Sequence, residues 1–126
     1  MTHQKRLGDW GEIEARRYLE TKAYVFIERN FQVPEGEINL VMQDGDIVVF
    51  IEVKTRTSDR FGTPEESVSK VKRQRLLRAA WAFLQEREMI DASWRIDVVA
   101  IEASLKWTIK RVEHYQSAFD IDFNSL

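Results

Sequence analysis

Ile47-Val48-Val49-Phe50-Ile51-Glu52-Val53-Lys54-Thr55 is the stretch from which the fold can be read. Its first five residues are apolar without a break, as expected of a strand covered on both faces at the centre of a sheet. Asp44-Gly45, just before it, is a hairpin-turn dipeptide. Upstream of the turn, Glu37 to Met42 alternates. Ile38, Leu40 and Met42 are expected on one face, with Glu37, Asn39 and Val41 on the other. The two segments predict a hairpin whose second strand is the buried one.

On the N-terminal side, residues 5–22 read as a helix. At 100° per residue, Leu7, Gly8, Gly11, Ala15, Tyr18 and Leu19 share one arc of about 120°. The small residues in that arc suit a helix lying close on a sheet, and Glu12 falls at its rim, within reach of the sheet edge. Tyr24 to Glu28 reads as a first strand, followed by a loop from Asn30 to Gly36. Beyond the central strand, Thr63-Pro64-Glu65-Glu66 supplies an N-cap, a first-turn proline and a glutamate three residues after the cap. Helical spacing continues to about Glu88, with a break near Ser69. Trp94 to Glu102 and Lys106 to Glu113 read as two further strands. The order α-β-β-β-α-β-β predicts an α/β sandwich with a mixed five-stranded sheet. No linker or repeat interrupts it, so residues 1–126 are expected to form one domain, with a frayed tail over about 117–126.

At 44% hydrophobic and 32% charged, the chain is neither disordered nor of low complexity. No apolar run approaches the roughly 20 residues of a membrane helix. The absence of cysteine excludes disulfides, thiol catalysis and cysteine-based zinc sites. Met1 to Arg6 shows no signal-peptide pattern, and a cytoplasmic location is expected. His3 and His114 are far apart and suggest no metal cluster, and His114 reads as a surface residue without a role. The net charge is −2, yet Lys54 to Arg78 carries +5 and the remainder −7. Arg56, Lys70, Lys72, Arg73, Arg75 and Arg78 are therefore candidates for contacts to DNA phosphates, with a solvated helix face as the alternative.

The chemistry-bearing pattern is Glu52-Val53-Lys54. Residues two apart on a strand share a face, so the pair ends the apolar row of Val48 and Phe50. An acid-x-lysine on a strand is also a common plain ion pair. Here the hairpin can bring Asn39 beside Glu52, and Glu12 waits on the helix rim. Oxygen donors from two strands with a nearby lysine suit phosphodiester hydrolysis. Oxygens hold Mg²⁺ or Mn²⁺, which polarises the phosphate and acidifies a water, while the lysine offsets developing charge.

These motifs resemble the bacterial YraN family, whose proteins have a restriction-endonuclease-like fold of the PD-(D/E)xK superfamily. The resemblance runs to about residue 113. It rests on Gly11-Glu12, Tyr18-Leu19, Asn30-Phe31, Gly36-Glu37-Ile38-Asn39, Phe50-Ile51-Glu52-Val53-Lys54-Thr55-Arg56, Phe61-Gly62-Thr63-Pro64, Lys72 and Arg95-Ile96-Asp97-Val98-Val99. The order of motifs is also similar to that of archaeal Holliday-junction resolvases. The resemblance implies a three-layer sandwich and a metal-dependent endonuclease acting on branched or damaged DNA. It puts Glu12, Asn39, Glu52 and Lys54 at catalytic positions, with the metal held by Asn39, Glu52 and the Val53 carbonyl. A homodimer is implied by analogy with the junction enzymes. The family pattern ends Gly-Glu-Ile-Asp where this chain has Asn39, which removes one anionic oxygen. Glu37, expected on the same strand face, is the nearest carboxylate. Two readings stay open: a working nuclease that holds its metal weakly, and a nuclease-fold protein that only binds nucleic acid.

Overall fold

A computed structural model describes residues 2–57 and 68–119. Helix α1 (His3–Glu20) starts at Thr2, whose hydroxyl accepts the Lys5 N–H at 3.1 Å. Leu7, Gly11, Ala15 and Leu19, each four residues apart, form its buried stripe. Strands β1 (Val25–Val33), β2 (Gly36–Asp44) and β3 (Ile47–Arg56) form an antiparallel meander. Gly45, at φ +58°, makes the tight turn between β2 and β3. Helix α2 (Lys70–Glu86) then leads to β4 (Ser93–Ala103), parallel to β3, and β5 (Ile109–Tyr115) closes the sheet antiparallel to β4. Strand order follows chain order, β1 to β5, which leaves β3 at the centre.

Each helix covers one face of this mixed five-stranded sheet. Under α1 lie Leu40, Met42, Val49, Ile51, Val99 and Ile101; under α2 lie Ile38, Val41, Val48, Phe50, Ile96 and Val98. Coverage on both faces is why β3 carries no polar alternation until Glu52. Phe31 and Phe50 both meet Phe83 edge-on, at ring distances of 5.2 and 5.6 Å. Among the described residues no helix is long and apolar enough to cross a membrane.

The element order is as expected; several details differ. The loop expected from Asn30 is strand as far as Val33: β1 keeps its pairing with β2 past Asn30, although that residue has a positive φ of 51°. Opposite Asn30, the alternation of β2 slips: Ile38 faces α2, while Leu40 faces α1 together with Met42. The helix start expected at Thr63-Pro64-Glu65-Glu66 lies outside the described residues. α2 begins at Lys70 with Ser69 as its cap, close to the expected break.

His114 is not a surface residue. Its side chain is 2% exposed, and Nε2 lies 2.7 Å from Oδ2 of the fully buried Asp97. Asp97 also accepts from Arg95 Nε at 3.0 Å and from the Ser117 N–H at 3.0 Å. That bond, with Ala118 N–H donating to the Ile96 carbonyl, ties residues 117–118 to β4.

Candidate active site

Strand β3 outruns β2. Their ladder ends at the Leu40–Ile51 pair, while β3 continues beside β4 to Arg56. Asn39 spans the opening with its side chain, its Oδ1 accepting the Val53 N–H at 2.8 Å. The slip in β2 alternation falls at this residue, which turns Asn39 toward β3 and out of the apolar row. In an extended strand a residue's N–H and C=O leave on the same side. The Val53 carbonyl therefore opens into the same cleft.

Glu52 continues the Val48–Phe50 row toward α2 and is 2% exposed. From α2, Lys72 Nζ approaches its Oε2 to 3.4 Å and Glu37 Oε1 to 3.9 Å. The approach is an ion pair without hydrogen-bond alignment, so Glu52 Oε2 is buried with no hydrogen-bond donor. Burial raises the Glu52 carboxyl above its ordinary range, opposed first by Lys72 and then by Lys54.

Glu12 arrives from the opposite layer. A Cβ at Gly11 would stand 1.9 Å from Thr55 Oγ1, so glycine is what lets α1 settle this closely on β3. The next residue, Glu12, is thereby brought to the sheet edge. Burial, with a smaller contribution from Asp9, pushes its carboxyl up to about 7; Arg29 opposes, and Glu52 and Glu37 add to the rise. Its Oε2 is also buried without a hydrogen-bond donor. Glu12, Val53, Lys54 and Arg56 border an open groove of about 720 Å³ at the start of α1. A smaller hollow of about 160 Å³ on the other side of Glu12 is bordered by Arg16, Phe26 and Arg29.

Glu12 and Glu52 each bury a carboxylate oxygen that makes no hydrogen bond, and carboxylate and backbone carbonyl oxygens are the ligand types of a hard cation. By donor type, Glu12, Glu52 and the Val53 carbonyl suit such an ion. Asn39 fits it less well, because its oxygen already holds Val53 and its remaining group, the amide nitrogen, is a donor. Among the described residues no cluster of three His, Asp or Glu side chains forms a ready metal cage.

The basic candidates divide. Lys70, Arg75 and Arg78 are exposed along α2, and Arg56 borders the groove. Arg73 Nε is tied to the Val68 carbonyl at 3.1 Å, and its guanidinium lies over Phe119. Lys72 is turned inward to the carboxylates. Arg29, acting on Glu12 from β1, was not singled out by the sequence. No local motif marks it, since it enters through sheet pairing alone.

The model of the family described as Uncharacterised protein family UPF0102 matches residues 11–101, more than half of the chain. The chain belongs to the UPF0102 family. This is the YraN family of the sequence resemblance, and the matched span holds Glu12, Asn39, Glu52, Lys54 and Lys72. A UPF0102 protein of Pelotomaculum thermopropionicum is 40% identical over 116 residues, covering 92% of this chain and 97% of that protein. One from Geobacter metallireducens is 40% identical over 121 residues, covering 96% and 98%. One from Herminiimonas arsenicoxydans reaches 44% over 113 residues, covering 89% and 90%. The solved structure of Pyrococcus furiosus SfsA in complex with Ca²⁺ aligns at a TM-score of 0.36 and 12% identity, over 86% of this chain and 61% of that one. At that likeness neither site nor function transfers.

Proposed function

We propose that this UPF0102 protein is a metal-dependent DNA endonuclease of the cytoplasm, hydrolysing phosphodiester bonds at the open end of β3. The observation that carries the reading is the buried Glu52, whose Oε2 makes no hydrogen bond and meets Lys72 at 3.4 Å, followed by the Val53 carbonyl and Lys54 where β3 runs on past β2. Glu52 and that carbonyl would hold Mg²⁺ or Mn²⁺, with Glu12 beside them. The bound ion would polarise the phosphate and make a water more acidic. Lys54 and Arg56, at the groove, hold a DNA phosphate and offset charge as it develops. Glu12, raised to about 7, can accept or return a proton near neutral pH. Asn39 keeps the Val53 backbone in place through its oxygen.

The second reading, a nucleic-acid-binding module without catalysis, draws its support from Asn39, whose neutral amide oxygen accepts the Val53 N–H and brings no negative charge to a cation. Cleavage of end-labelled duplex and four-way-junction DNA, with Mg²⁺, with Mn²⁺ and with chelator, separates the two. The endonuclease reading expects metal-dependent products, lost by about 100-fold or more in Glu52→Gln. It expects Asn39→Asp, which frees one oxygen while the other keeps Val53, to cleave faster than the parent. DNA retention without products in any of these proteins would favour the binding module.

A further inference from the structure

Lys72, on α2, is turned onto two carboxylates at once, Glu52 Oε2 at 3.4 Å and Glu37 Oε1 at 3.9 Å. Its position is built rather than incidental. Ser69 caps α2 by accepting the Lys72 N–H at 3.1 Å, which fixes the first turn. One turn further on, the helix backbone at Arg75 lies so near Gly36 that a Cβ there would be 2.2 Å from the Arg75 carbonyl oxygen. Lys72 and Arg75, three apart, lie on one helix face, and Glu37 follows Gly36. The close approach that seats α2 therefore suspends Lys72 over Glu37 and Glu52. Its side chain is 30% exposed and that of Glu52 only 3%, so the ammonium stands at the mouth and the carboxylate behind it.

We propose that Lys72 is a tethered counter-ion of this site, standing against the Glu52 carboxylate that a divalent cation would use, so that the cation enters by displacing the ammonium. The proposal rests on the cation-dependent reading above and adds to it a positioning residue on α2. A buried carboxylate without a counter-charge is costly. An ammonium and a divalent cation cannot share the Glu52 carboxylate without mutual repulsion. Lys72 thus supplies a counter-charge to Glu52 and orients it in the metal-free protein, at the expense of cation affinity. Lys54, next along the strand, makes no such pair with either carboxylate among the described contacts and serves as the comparison.

Calorimetric titration of the full chain with Mn²⁺ tests this on the parent, Lys72→Met and Lys54→Met. Lys72→Met is expected to bind Mn²⁺ on the order of tenfold more tightly than the parent, and Lys54→Met to change much less. Thermal melts in chelator should show Lys72→Met below the parent, with Glu52→Gln added to it recovering stability. Lys72→Gln, which keeps a polar group against Glu52, is titrated should the methionine variant not fold. Unchanged or weaker Mn²⁺ binding after removal of the ammonium would overturn the proposal, as would coincident melts of parent and variant in chelator. Tighter Mn²⁺ binding together with no DNA cleavage by the parent would sink the endonuclease reading and leave Lys72 in this role. Cleavage by a parent whose Lys72 variants bind Mn²⁺ no better would do the reverse.

Discussion

Two side chains set the character of this site, and each is constrained by a single contact. Asn39 Oδ1 accepts the Val53 N–H, a bond that either Asn or Asp can make, which explains how the asparagine is tolerated structurally. Glu12 has the opposite problem, because burial leaves its Oε2 with no donor and raises its carboxyl to about 7 from an ordinary 4.5. The folded protein therefore binds more protons than the unfolded chain between those values. The stability that this confers is complete below about 4.5 and is lost as pH rises through about 7. Thermal melts in chelator should accordingly fall between about pH 5 and about pH 8. Glu12→Gln should flatten that fall and leave the variant more stable than the parent at the upper end. Parallel pH profiles for the two proteins would show that the Glu12 environment has been misjudged.

Close backbone approaches at two glycines turn separate elements into a site. Gly11 lets α1 settle onto Thr55, and Gly36 admits the backbone of α2 at Arg75. Because the obstacle at Gly36 is main chain, Gly36→Ala has to displace the helix, and a loss of about 1–3 kcal/mol in chemical denaturation is expected. Gly8→Ala is the matched control: its added Cβ would meet nothing within 4 Å, and in a helix interior it should stabilise by roughly 0.5–1 kcal/mol. Equal effects at the two positions would remove the packing argument. Element type and order were legible because β3 announces itself by its apolar run and α1 by its stripe of Leu7, Gly11, Ala15 and Leu19. The phase slip at Asn39 was not legible. It lies across the ladder from Asn30, a residue of positive φ, and period-two alternation does not encode such a departure. His114 was hidden for a similar reason, since its partner Asp97 lies on the neighbouring strand. Within the candidate site, the Glu52-Val53-Lys54 order could be read directly. The inward turn of Lys72 could not, because a basic residue on a helix looks the same in sequence whether it faces solvent or a buried carboxylate.

Across the whole molecule the charge is divided. The Lys54–Arg78 stretch carries +5 against −7 elsewhere, and Lys54, Arg56, Lys70, Arg75 and Arg78 come from the open end of β3 and from α2. Lys54 and Arg56 border the groove at the proposed catalytic end and Lys72 reaches it from α2, an arrangement suited to drawing a phosphate backbone toward Glu52. Everything in the account turns on whether a divalent cation settles at that end. Crystals of the parent soaked in Mn²⁺ and measured for anomalous scattering give the most direct answer. The account predicts one strong peak in contact with the Glu52 carboxylate and the Val53 carbonyl, with Lys72 drawn away from Glu52. No peak at saturating Mn²⁺, or peaks only at surface carboxylates remote from β3, would contradict it.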